Sequence, residues 1–457
     1  MPKKMRLDQM LVDRGLVESR TRAQALVMAG LVFSGEQKLA KPGQQLSVDA
    51  PLDVRGRDHP WVSRGGIKLA HAIEHFALDP SGARLVKSFG VYSGARTYAS
   101  YEIGQLRDIV ASHELLYYRD GATATVAVQQ IESFRLLKIN GKTDASNGPG
   151  DVATQLLLGH LPYLLKDAKR VGVIGWGSGM TVGAVLQHPV ELVDAFEIEP
   201  AVIEASRYFE PINGRPLDDD RLHLVIGDAR GELRRDVEPY DVIISEPSNP
   251  WITGVANLFT RDFFELTASR LAPGGVFAQW FHLYGMSEDS AREVMATFRS
   301  VFPHVVAFND RDLILLGSDR PITFSLDQMT RRFADPGVRA SLAEAFVRSP
   351  ADLLVKLRLD ERGTAAFAAG AALNTDDNMR LELAAPRTLY QDRLAAIRTE
   401  LDRHPPAPLD LVTGYGSLQL FHNQGDGTFL EVHAQAELKS RSWSRLDWCD
   451  ATAPRWS

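Results

Sequence analysis

Polar residues that could carry out chemistry follow several predicted strands in the middle of this 457-residue chain. A glycine turn, Gly175 to Gly179, comes directly after the apolar run that begins at Val171, and Glu197 follows Gly175 by 22 residues. Glycines let the backbone approach a ligand closely, and an acid after the second strand can accept both hydroxyls of a ribose. The spacing predicts a βαβ unit that binds an adenosine-type molecule, although glycine turns also make tight connections without a ligand.

Two further predicted strands end in polar residues. Gly227 and Asp228 follow one of them, and the loop from Ser245 through Glu246 to Asn249 follows the other. Ligands collect at the carboxyl ends of the strands in a parallel sheet, so we expect these side chains to share one site with the glycine turn and Glu197. A network of structural acids is the alternative interpretation.

The elements that must position these residues alternate between helix and strand. The predicted elements are a helix over 152–165 and strands over 192–198, 222–226 and 242–245. This order predicts an α/β fold with a doubly wound, Rossmann-like sheet of the methyltransferase type. Strands around the turn Asp120-Gly121 and over 135–142 predict a small antiparallel sheet before it.

The composition is typical of a soluble protein, with 44% hydrophobic and 24% charged residues. Cys449 is the single cysteine, which excludes an internal disulfide and a cysteine-rich metal site. No apolar run approaches the eighteen residues of a membrane span. We therefore expect a cytoplasmic protein without a membrane contact or a bound metal, and we also expect a homodimer.

Charge is unevenly placed along the chain. Residues 1–70 contain twelve Lys or Arg and seven Asp or Glu, a net charge of +5, so the rest of the chain carries −12 of the total of −7. A basic module on an acidic body suggests that only the first part contacts a phosphate backbone. The alternative is a solvated charged surface.

The basic module reads as two helices followed by short strands at 32–33 and 45–48. The first helix begins at Arg6 and ends at Gly15, and the second lies between a capping Ser19 and Gly30. The residues predicted to be buried are Leu7, Met10, Leu11, Ala23, Leu26 and Val27. Arg20 and Arg22 are then free to face a phosphate.

This module resembles the RNA-binding domain of ribosomal protein S-four, as it occurs in hemolysin-type ribosomal RNA methyltransferases. The resemblance runs from Arg6 to Leu69 and is carried by Ser-Arg-Thr-Arg-Ala at 19–23 and His-Pro-Trp-Val-Ser-Arg-Gly-Gly at 59–66. It implies RNA contacts from Arg6, Arg20, Arg22, Lys38 and Lys41. Lys68 matches a catalytic lysine of that family, but the expected glycine-rich cofactor motif does not follow it, so we interpret it as a basic surface or RNA-contacting residue.

Residues 100–390 resemble the spermidine/spermine synthase superfamily. The resemblance rests on Asn140-Gly141-Lys142, on the strand-end residues described above, and on four further stretches: Tyr240 to Trp251, Leu258 to Phe264, Pro273 to Val276 and Asn374 to Asp377. It implies that Glu197 binds the ribose and that Asp228 and Ala229 bind the adenine. Gly175, Gly177, Ser178 and Gly179 would line the sulfonium-bearing tail of S-adenosylmethionine or its decarboxylated form.

The same resemblance implies an amine acceptor that carboxylates hold and deprotonate. Glu246 would be the catalytic base, and Asp151 and Asn249 would contact the amine. This chain departs from the family at Ser178, Val152 and Asn249, where acids are usual. Three interpretations stay open: aminopropyl transfer to a polyamine, methyl transfer from S-adenosylmethionine to RNA, and a degenerate body that binds a nucleotide or nothing while the first domain binds RNA.

After the linker at 404–408, residues 409–429 resemble one FG-GAP-type β-propeller blade, with Gly425-Asp-Gly427 as a hairpin turn and little order expected from 441 to 457. The predicted domains are residues 1–70, a junction at 71–100, the small sheet at 101–150, the Rossmann-like domain at 151–390, and the linker, blade-like fragment and tail at 391–457. Three resemblances in one chain are compatible with a natural fusion, a faulty gene model or an artificial assembly.

Overall fold

A computed structural model describes residues 4–54 apart from 18, 19, 29 and 36, residues 83–90, residues 98–407 apart from 236, 237, 253, 310, 311 and 389, and two strands at 409–413 and 416–420. The chain divides into two compact units, Met1–Ala83 and Arg84–Ser457. No helix in the described ranges is long and apolar enough to cross a membrane. Lys68, Cys449 and the predicted turn at 425–427 lie outside the described residues.

The described part of the first unit contains two helices and five short strands. In chain order these are β1 (Lys4–Arg6), α1 (Leu7–Asp13), α2 (Arg20–Met28), β2 (Val32–Ser34), β3 (Gln37–Lys38), β4 (Gln45–Ser47) and β5 (Asp53–Val54). Strand β1 pairs with β4, and β2 lies between β3 and β5. The six residues that the sequence predicted to be buried are all at most 5% exposed, which confirms the apolar faces of both helices.

A buried carboxylate, Asp8, connects the two helices of this unit. The guanidinium of Arg6 donates to both of its oxygens (3.0 and 2.9 Å), and Arg20 and Gln24 donate to Oδ2 (3.1 and 3.0 Å). The hydrogen bond from Arg6 is the largest cause that holds the pKa of Asp8 well below its usual range. Arg6 and Arg20 therefore already hold a structural role, although about half of each side chain stays exposed.

The other basic candidates of this unit differ in what the structure says of them. Lys38 and Lys41 are exposed, and the end of the Lys38 side chain lies against Gly30, where an added Cβ would be 2.2 Å from Lys38 Nζ. Arg22 lies in α2, and its side chain is outside the described part. Among the described candidates, Lys41 is thus the one whose side chain has no role in holding the fold of this unit.

The second unit begins with two helices and a four-stranded antiparallel sheet. These elements are α3 (Ala83–Phe89), α4 (Ile103–Ala111), β6 (Glu114–Asp120), β7 (Thr125–Ile131), β8 (Phe134–Ile139) and β9 (Lys142–Ser146). The strands pair in chain order, β6-β7-β8-β9, as a meander. Asn140 and Gly141 connect β8 to β9 with positive φ angles of 51° and 84°, the backbone that favours Asn-Gly in two-residue hairpins.

The end of α3 docks against this hairpin at two glycines. A Cβ on Gly90 would lie 1.8 Å from the carbonyl oxygen of Gly141, and Gly90 itself has a φ of 68°. The buried ammonium of Lys138 donates to the carbonyl of Phe89 (2.7 Å) at the end of the helix. Burial lowers the pKa of Lys138 to about 8. The Asn140-Gly141 turn is therefore held against the end of α3 by the close backbone contact at Gly90.

We expect Gly90→Ala to destabilise the protein by about 1–3 kcal/mol or more. Alanine is strained at positive φ, and its Cβ would meet backbone atoms rather than a movable side chain. Gly104→Ala is the matched control, since Gly104 lies in α4 with open space around it and alanine favours a helix. Chemical denaturation of both variants checks this. Equal stability of Gly90→Ala and the parent chain would contradict the close contact.

The large sheet of the second unit has eight strands in the order β12-β11-β10-β13-β14-β16-β15-β17. Their bounds are β10 (Arg170–Ile174), β11 (Leu192–Glu197), β12 (Leu222–Ile226), β13 (Tyr240–Ser245), β14 (Leu271–His282), β15 (His304–Phe308), β16 (Asp312–Ser318) and β17 (Leu357–Leu359). The five strands from β12 to β14 pair in parallel, and the remaining pairs are antiparallel. The mixed α/β character predicted from the sequence is confirmed.

Helices and short 3₁₀ turns connect these strands. The helices are α5 (Pro149–Leu165), α6 (Met180–Leu186), α7 (Pro200–Ser206), α8 (Glu210–Asn213), α9 (Ala229–Leu233), α10 (Arg261–Ser269), α11 (Glu288–Arg299), α12 (Leu326–Phe333), α13 (Pro336–Glu344), α14 (Pro350–Val355), α15 (Glu361–Ala368), α16 (Arg380–Thr388) and α17 (Leu394–Asp402). The 3₁₀ turns are Arg207–Phe209, Pro216–Asp218 and Val255–Phe259.

Two apolar cores share the residues of the large sheet. Val242 and Ile244 of β13 belong to the core that includes α5 and α6, whereas Ile243 belongs to the core that includes α10 and α11. Successive side chains of a strand point to opposite faces, so each strand contributes to both cores. The sheet is thereby covered on both faces, and its strand ends are left to form a site.

After α17 the described chain ends in a hairpin of β18 (Leu409–Thr413) and β19 (Gly416–Leu420). This hairpin lies inside the stretch that resembles an FG-GAP blade. The blade itself and the low order of the tail stay predictions, because residues 421–457 lie outside the described part.

Candidate functional site

A cavity of about 510 Å³ lies at the carboxyl ends of β10 to β13. Its wall comes from these strand ends and the segments that follow them, from the small antiparallel sheet and the start of α5, and from Trp280 of β14 and Asp312 of β16. The lining residues that carry ionisable side chains are Asp144, Asp151, Glu197, Glu199, Asp228, Arg230, Glu246 and Asp312. Seven of these eight described groups are acidic, so the cavity favours a cationic ligand.

The glycine turn forms one wall of the cavity. Gly175, Gly177 and Gly179 have φ angles of 89°, 53° and 82°, which other residues rarely adopt. A Cβ on Gly175 would also lie 2.5 Å from the backbone oxygen of Glu246, so glycine lets the loop after β13 approach the turn. Gly175 and Gly177 line the cavity as the sequence predicts.

Glu197 ends β11 with its carboxylate fixed by the backbone. The N–H of Trp176 donates to Oε2 (3.1 Å) and the N–H of Glu199 donates to Oε1 (2.9 Å). Burial raises the pKa of Glu197 to about 7, and these backbone N–H groups act in the opposite direction. A carboxylate has about four acceptor positions, so each oxygen can still accept one hydroxyl from a ligand.

Asp228 and Ala229 lie side by side in the cavity wall after β12. Asp228 is the N-cap of α9, and its two oxygens accept from the N–H groups of Arg230 (3.2 Å) and Gly231 (3.3 Å). Capping orients the carboxylate at the strand end. The sequence prediction that Asp228 shares one site with Glu197 agrees with this placement.

Glu246 is the first residue after β13 and lines the cavity. Desolvation raises its pKa to about 7, a hydrogen bond with Thr181 lowers it, and the neighbouring Asp144 carboxylate raises it again. A carboxyl group with a pKa near 7 can accept and release a proton at neutral pH. Glu246 therefore has the proton affinity that a general base requires.

Asp151 lies in the first turn of α5 and also lines the cavity. The hydroxyl of Ser146 at the end of β9 donates to its Oδ2. The cavity wall at this point is thus built where the small sheet joins the helix. The structure places Asp151 on the same cavity as Glu246.

Three predicted site residues do not belong to the cavity lining that the structure describes. Ser178 is fully buried and donates to Gln155 Oε1 (2.5 Å), and Gly179 is the N-cap of α6. Asn249 is fully buried, and its Nδ2 lies 3.4 Å from the hydroxyl of Tyr284. The side chains of Ser178 and Asn249 are thus held by protein neighbours.

Three lining acids, Asp144, Glu199 and Asp312, were not selected from the sequence as site residues. Asp144 lies in β9, two residues after Lys142, and Asp312 begins β16. Charged residues inside a predicted strand are unusual when they are buried, so Asp144 within the meander was the available signal. Asp312 follows no motif, and the antiparallel pairing of His282 with Asp312 brings it to the cavity.

Arg230, the single basic lining residue among those described, is held by a distant segment. Its guanidinium donates to both oxygens of Asp376 (3.1 and 2.5 Å), and Thr260 donates to the same carboxylate (2.7 Å). Two stretches that carried the sequence resemblance, 258–264 and 374–377, thus meet at one ion pair. Arg230 is thus paired with Asp376, and the lining acid Asp144 is likewise paired with Lys142.

Glu199 fixes the loop between β6 and β7 at the rim of the cavity. Its Oε2 accepts from the N–H of Thr123 (2.8 Å), the hydroxyl of Thr123 (2.9 Å) and the N–H of Ala124 (3.3 Å). Its Oε1 caps α7 through the N–H of Ala201 (3.1 Å). Glu199 therefore connects the small sheet to the large one rather than facing a ligand with free acceptors.

Comparison with known proteins places this chain in a family. The spermine/spermidine synthase domain matches residues 152–309, and the S4 domain matches residues 5–51. A spermidine synthase from Dictyostelium discoideum is 33% identical over 204 residues, which cover 43% of this chain and 68% of that protein. The chain belongs to the spermine/spermidine synthase family and carries an S4 domain before it, which confirms two of the three resemblances seen in the sequence.

Two other relatives are named as methyltransferases. Putrescine N-methyltransferase 2 from Nicotiana tabacum is 32% identical over 176 residues, 37% of this chain and 48% of that protein. The putative rRNA methyltransferase YqxC from Bacillus subtilis (strain 168) is 50% identical over 77 residues, 17% of this chain and 27% of that protein. The chain spans about half the length or less of these two relatives.

Among solved structures, the spermidine synthase from Thermotoga maritima is 21% identical with a TM-score of 0.41, covering 50% of this chain and 87% of that chain.

Proposed function

We propose that the second unit is an aminopropyltransferase-type enzyme that transfers an alkyl group from an S-adenosylmethionine-derived sulfonium compound to a polyamine. The observation that carries the proposal is the acidic lining of the cavity, where seven of the eight described ionisable groups are carboxylic acids. A polyamine is a cation at neutral pH and is attracted by such a lining, whereas an RNA phosphate would be repelled.

Different residues of the cavity bind different parts of the sulfonium co-substrate. Glu197 binds the ribose hydroxyls and Asp228, with Ala229, binds the adenine, while Gly175 and Gly177 leave room for the tail. The sulfonium co-substrate, decarboxylated S-adenosylmethionine in this proposal, supplies an electrophilic carbon when it is bound. These assignments follow the family resemblance and the lining of the cavity.

Glu246 prepares the acceptor. Its carboxylate takes a proton from the acceptor ammonium, and the nitrogen lone pair that is set free forms the new N–C bond as the C–S bond breaks and a thioether leaves. The pKa of about 7 suits this task at neutral pH. Asp151 contacts the amine from the side of α5.

Methyl transfer from S-adenosylmethionine to the same kind of amine is the second candidate. It is supported by the 32% identity to a protein named putrescine N-methyltransferase. The same acidic cavity and the same base serve this reaction, since only the transferred group differs. The acidic lining counts against the third idea, RNA as the methyl acceptor in this cavity.

One assay distinguishes these functions. The full chain is incubated with putrescine and either decarboxylated S-adenosylmethionine or S-adenosylmethionine, and the products are identified by mass spectrometry. Spermidine from the first mixture supports aminopropyl transfer, and N-methylputrescine from the second supports methyl transfer. No product from either mixture, together with binding of 5′-methylthioadenosine, would indicate a catalytically degenerate nucleotide-binding body.

We further propose that the first unit binds RNA through its exposed basic residues. The match to the S4 domain and the net charge of +5 over residues 1–70 support this role. Lys41 and Lys38 are exposed and can contact phosphates, whereas Arg6 and Arg20 also hold Asp8. A cytoplasmic location, a homodimer and the five-segment domain boundaries remain parts of this proposal.

We expect the full chain to bind structured RNA with an affinity that falls steeply with salt, and Lys41→Gln to lower both the affinity and the salt slope, the latter by about one. Filter binding over a range of salt concentrations measures both quantities. Lys169→Gln is the matched control, because Lys169 is an exposed lysine of the second unit that pairs with Glu191. RNA binding that does not depend on salt would contradict the proposed contacts.

A further inference from the structure

We infer that Asp144 is the residue that selects a diamine over a monoamine, by holding the ammonium of the acceptor that does not react. The inference rests on the proposed transfer to an amine and names a residue outside the strand-end loop. Its starting point is the position of Asp144, on the cavity wall but on the small antiparallel sheet.

The two oxygens of Asp144 have different surroundings. The ammonium of Lys142 (2.6 Å) and the hydroxyl of Ser248 (2.7 Å) both donate to Oδ1. Among the described residues no hydrogen bond reaches Oδ2, and the side chain lines the cavity. One oxygen therefore fixes the carboxylate, and the other can accept from a ligand ammonium.

Asp144 is also close to the proposed base. Ser248, which donates to Asp144, is two residues after Glu246 in the loop that follows β13. The Asp144 charge acts on Glu246, as its effect on the pKa of that residue indicates. The acceptor can thus meet Glu246 with one amine and Asp144 with another.

The need for such a residue follows from Asn249. This position offers a neutral amide instead of the second acid of the loop, and its Nδ2 points to the hydroxyl of Tyr284 (3.4 Å). A desolvated ammonium without a carboxylate partner loses a charged hydrogen bond. Asp144 supplies a carboxylate to the cavity from a different element.

Lys142 holds this carboxylate in place through an ion pair. Its side chain is only 7% exposed, and it pairs with Asp144 from behind the cavity wall, since Lys142 is not among the lining residues. A buried pair needs further hydrogen bonds to be tolerated, and Ser248 supplies one. The pair is therefore a support that presents Oδ2 to the ligand.

The test compares two acceptors that differ by one amine, putrescine and n-butylamine, with decarboxylated S-adenosylmethionine and with S-adenosylmethionine. We expect the parent chain to prefer putrescine in kcat/KM. Asp144→Asn keeps the shape of the side chain and removes its charge, so kcat/KM for putrescine should fall at least tenfold more than that for n-butylamine. Calorimetry should show weaker putrescine binding to the same variant.

Three further variants separate selection from structure. Asp144→Glu keeps the charge and should retain part of the preference. Glu114→Gln is the matched control, because Glu114 is an exposed acid of the same sheet outside the cavity lining. If Asp144→Asn fails to fold, Ser248→Ala removes one hydrogen bond to the same oxygen and should reduce the rate with putrescine alone.

The outcomes that contradict the two proposals are different. Equal losses with putrescine and n-butylamine in Asp144→Asn, or an unchanged preference, would overturn the role of Asp144 and leave the transfer reaction intact. No product from the parent chain with either amine and either co-substrate would overturn the proposed function itself.

Discussion

Glu246→Gln is expected to lower the rate of transfer to an amine at least about a hundredfold and to leave the affinity for 5′-methylthioadenosine unchanged. The variant keeps the size of the side chain but cannot accept the proton of the acceptor, and general base catalysis contributes roughly a hundredfold to ten-thousandfold. Glu246 begins the loop after β13, and the proposed adenosine contacts lie after β11 and β12. Steady-state rates and calorimetry measure the two quantities.

The pH dependence adds a second readout for this residue. The pKa of Glu246 is raised to about 7, so the fraction of ionised base should rise as the pH increases through 7. With the sulfonium co-substrate saturating, kcat/KM for the amine in the parent chain should rise with it. Glu246→Gln should lack this rise in kcat/KM with pH. Glu191→Gln, which changes an exposed acid paired with Lys169, is the control. A rate within tenfold of the parent in Glu246→Gln would reject Glu246 as the base.

The strand ends were predictable from the sequence because each motif lies next to an apolar run. Glu197 is the last residue of β11, and Asp228 and Glu246 lie within two residues of the ends of β12 and β13. Adjacent parallel strands bring these ends together. Side chains at these strand ends therefore lie close together at one edge of the sheet. Local sequence and sheet topology thus determine this half of the cavity.

The rest of the cavity depends on contacts that local sequence does not encode. Asp144 reaches the cavity because the small sheet is fixed to the large one through Glu199, and Asp312 reaches it through antiparallel pairing with β14. In the glycine turn, Gln155 of α5 provides the partner of Ser178. Which side of a turn faces a ligand is decided by such packing between distant elements.

The basic module also contains a contact that local sequence does not predict. The sequence correctly predicted the apolar faces of α1 and α2, since helical periodicity determines them. It did not indicate that Arg6 and Arg20 would share the buried Asp8, because this contact joins residues 12 positions apart across two helices. A basic residue in an RNA-binding module can thus be needed for folding as well as for binding.

Glu197→Gln is expected to weaken the binding of 5′-methylthioadenosine at least about tenfold. Both carboxylate oxygens now accept a backbone N–H, from Trp176 and Glu199, and each has a lone pair left for a hydroxyl. An amide has only one oxygen, so its NH₂ group must face either a backbone donor or the ligand. A buried donor without an acceptor costs about 1–3 kcal/mol, which corresponds to roughly tenfold or more.

The pH dependence of this affinity tests the same carboxylate. Burial raises the pKa of Glu197 to about 7 in the free protein, and hydroxyl donors from the ligand favour its ionised form. Binding therefore releases a proton below about pH 7, so the affinity of the parent chain should rise between pH 6 and 8, and Glu197→Gln should bind with the same affinity throughout. Glu238→Gln, at a side chain that is 85% exposed, is the control. Equal affinities of Glu197→Gln and the parent by calorimetry would show that the adenosine does not bind at the end of β11.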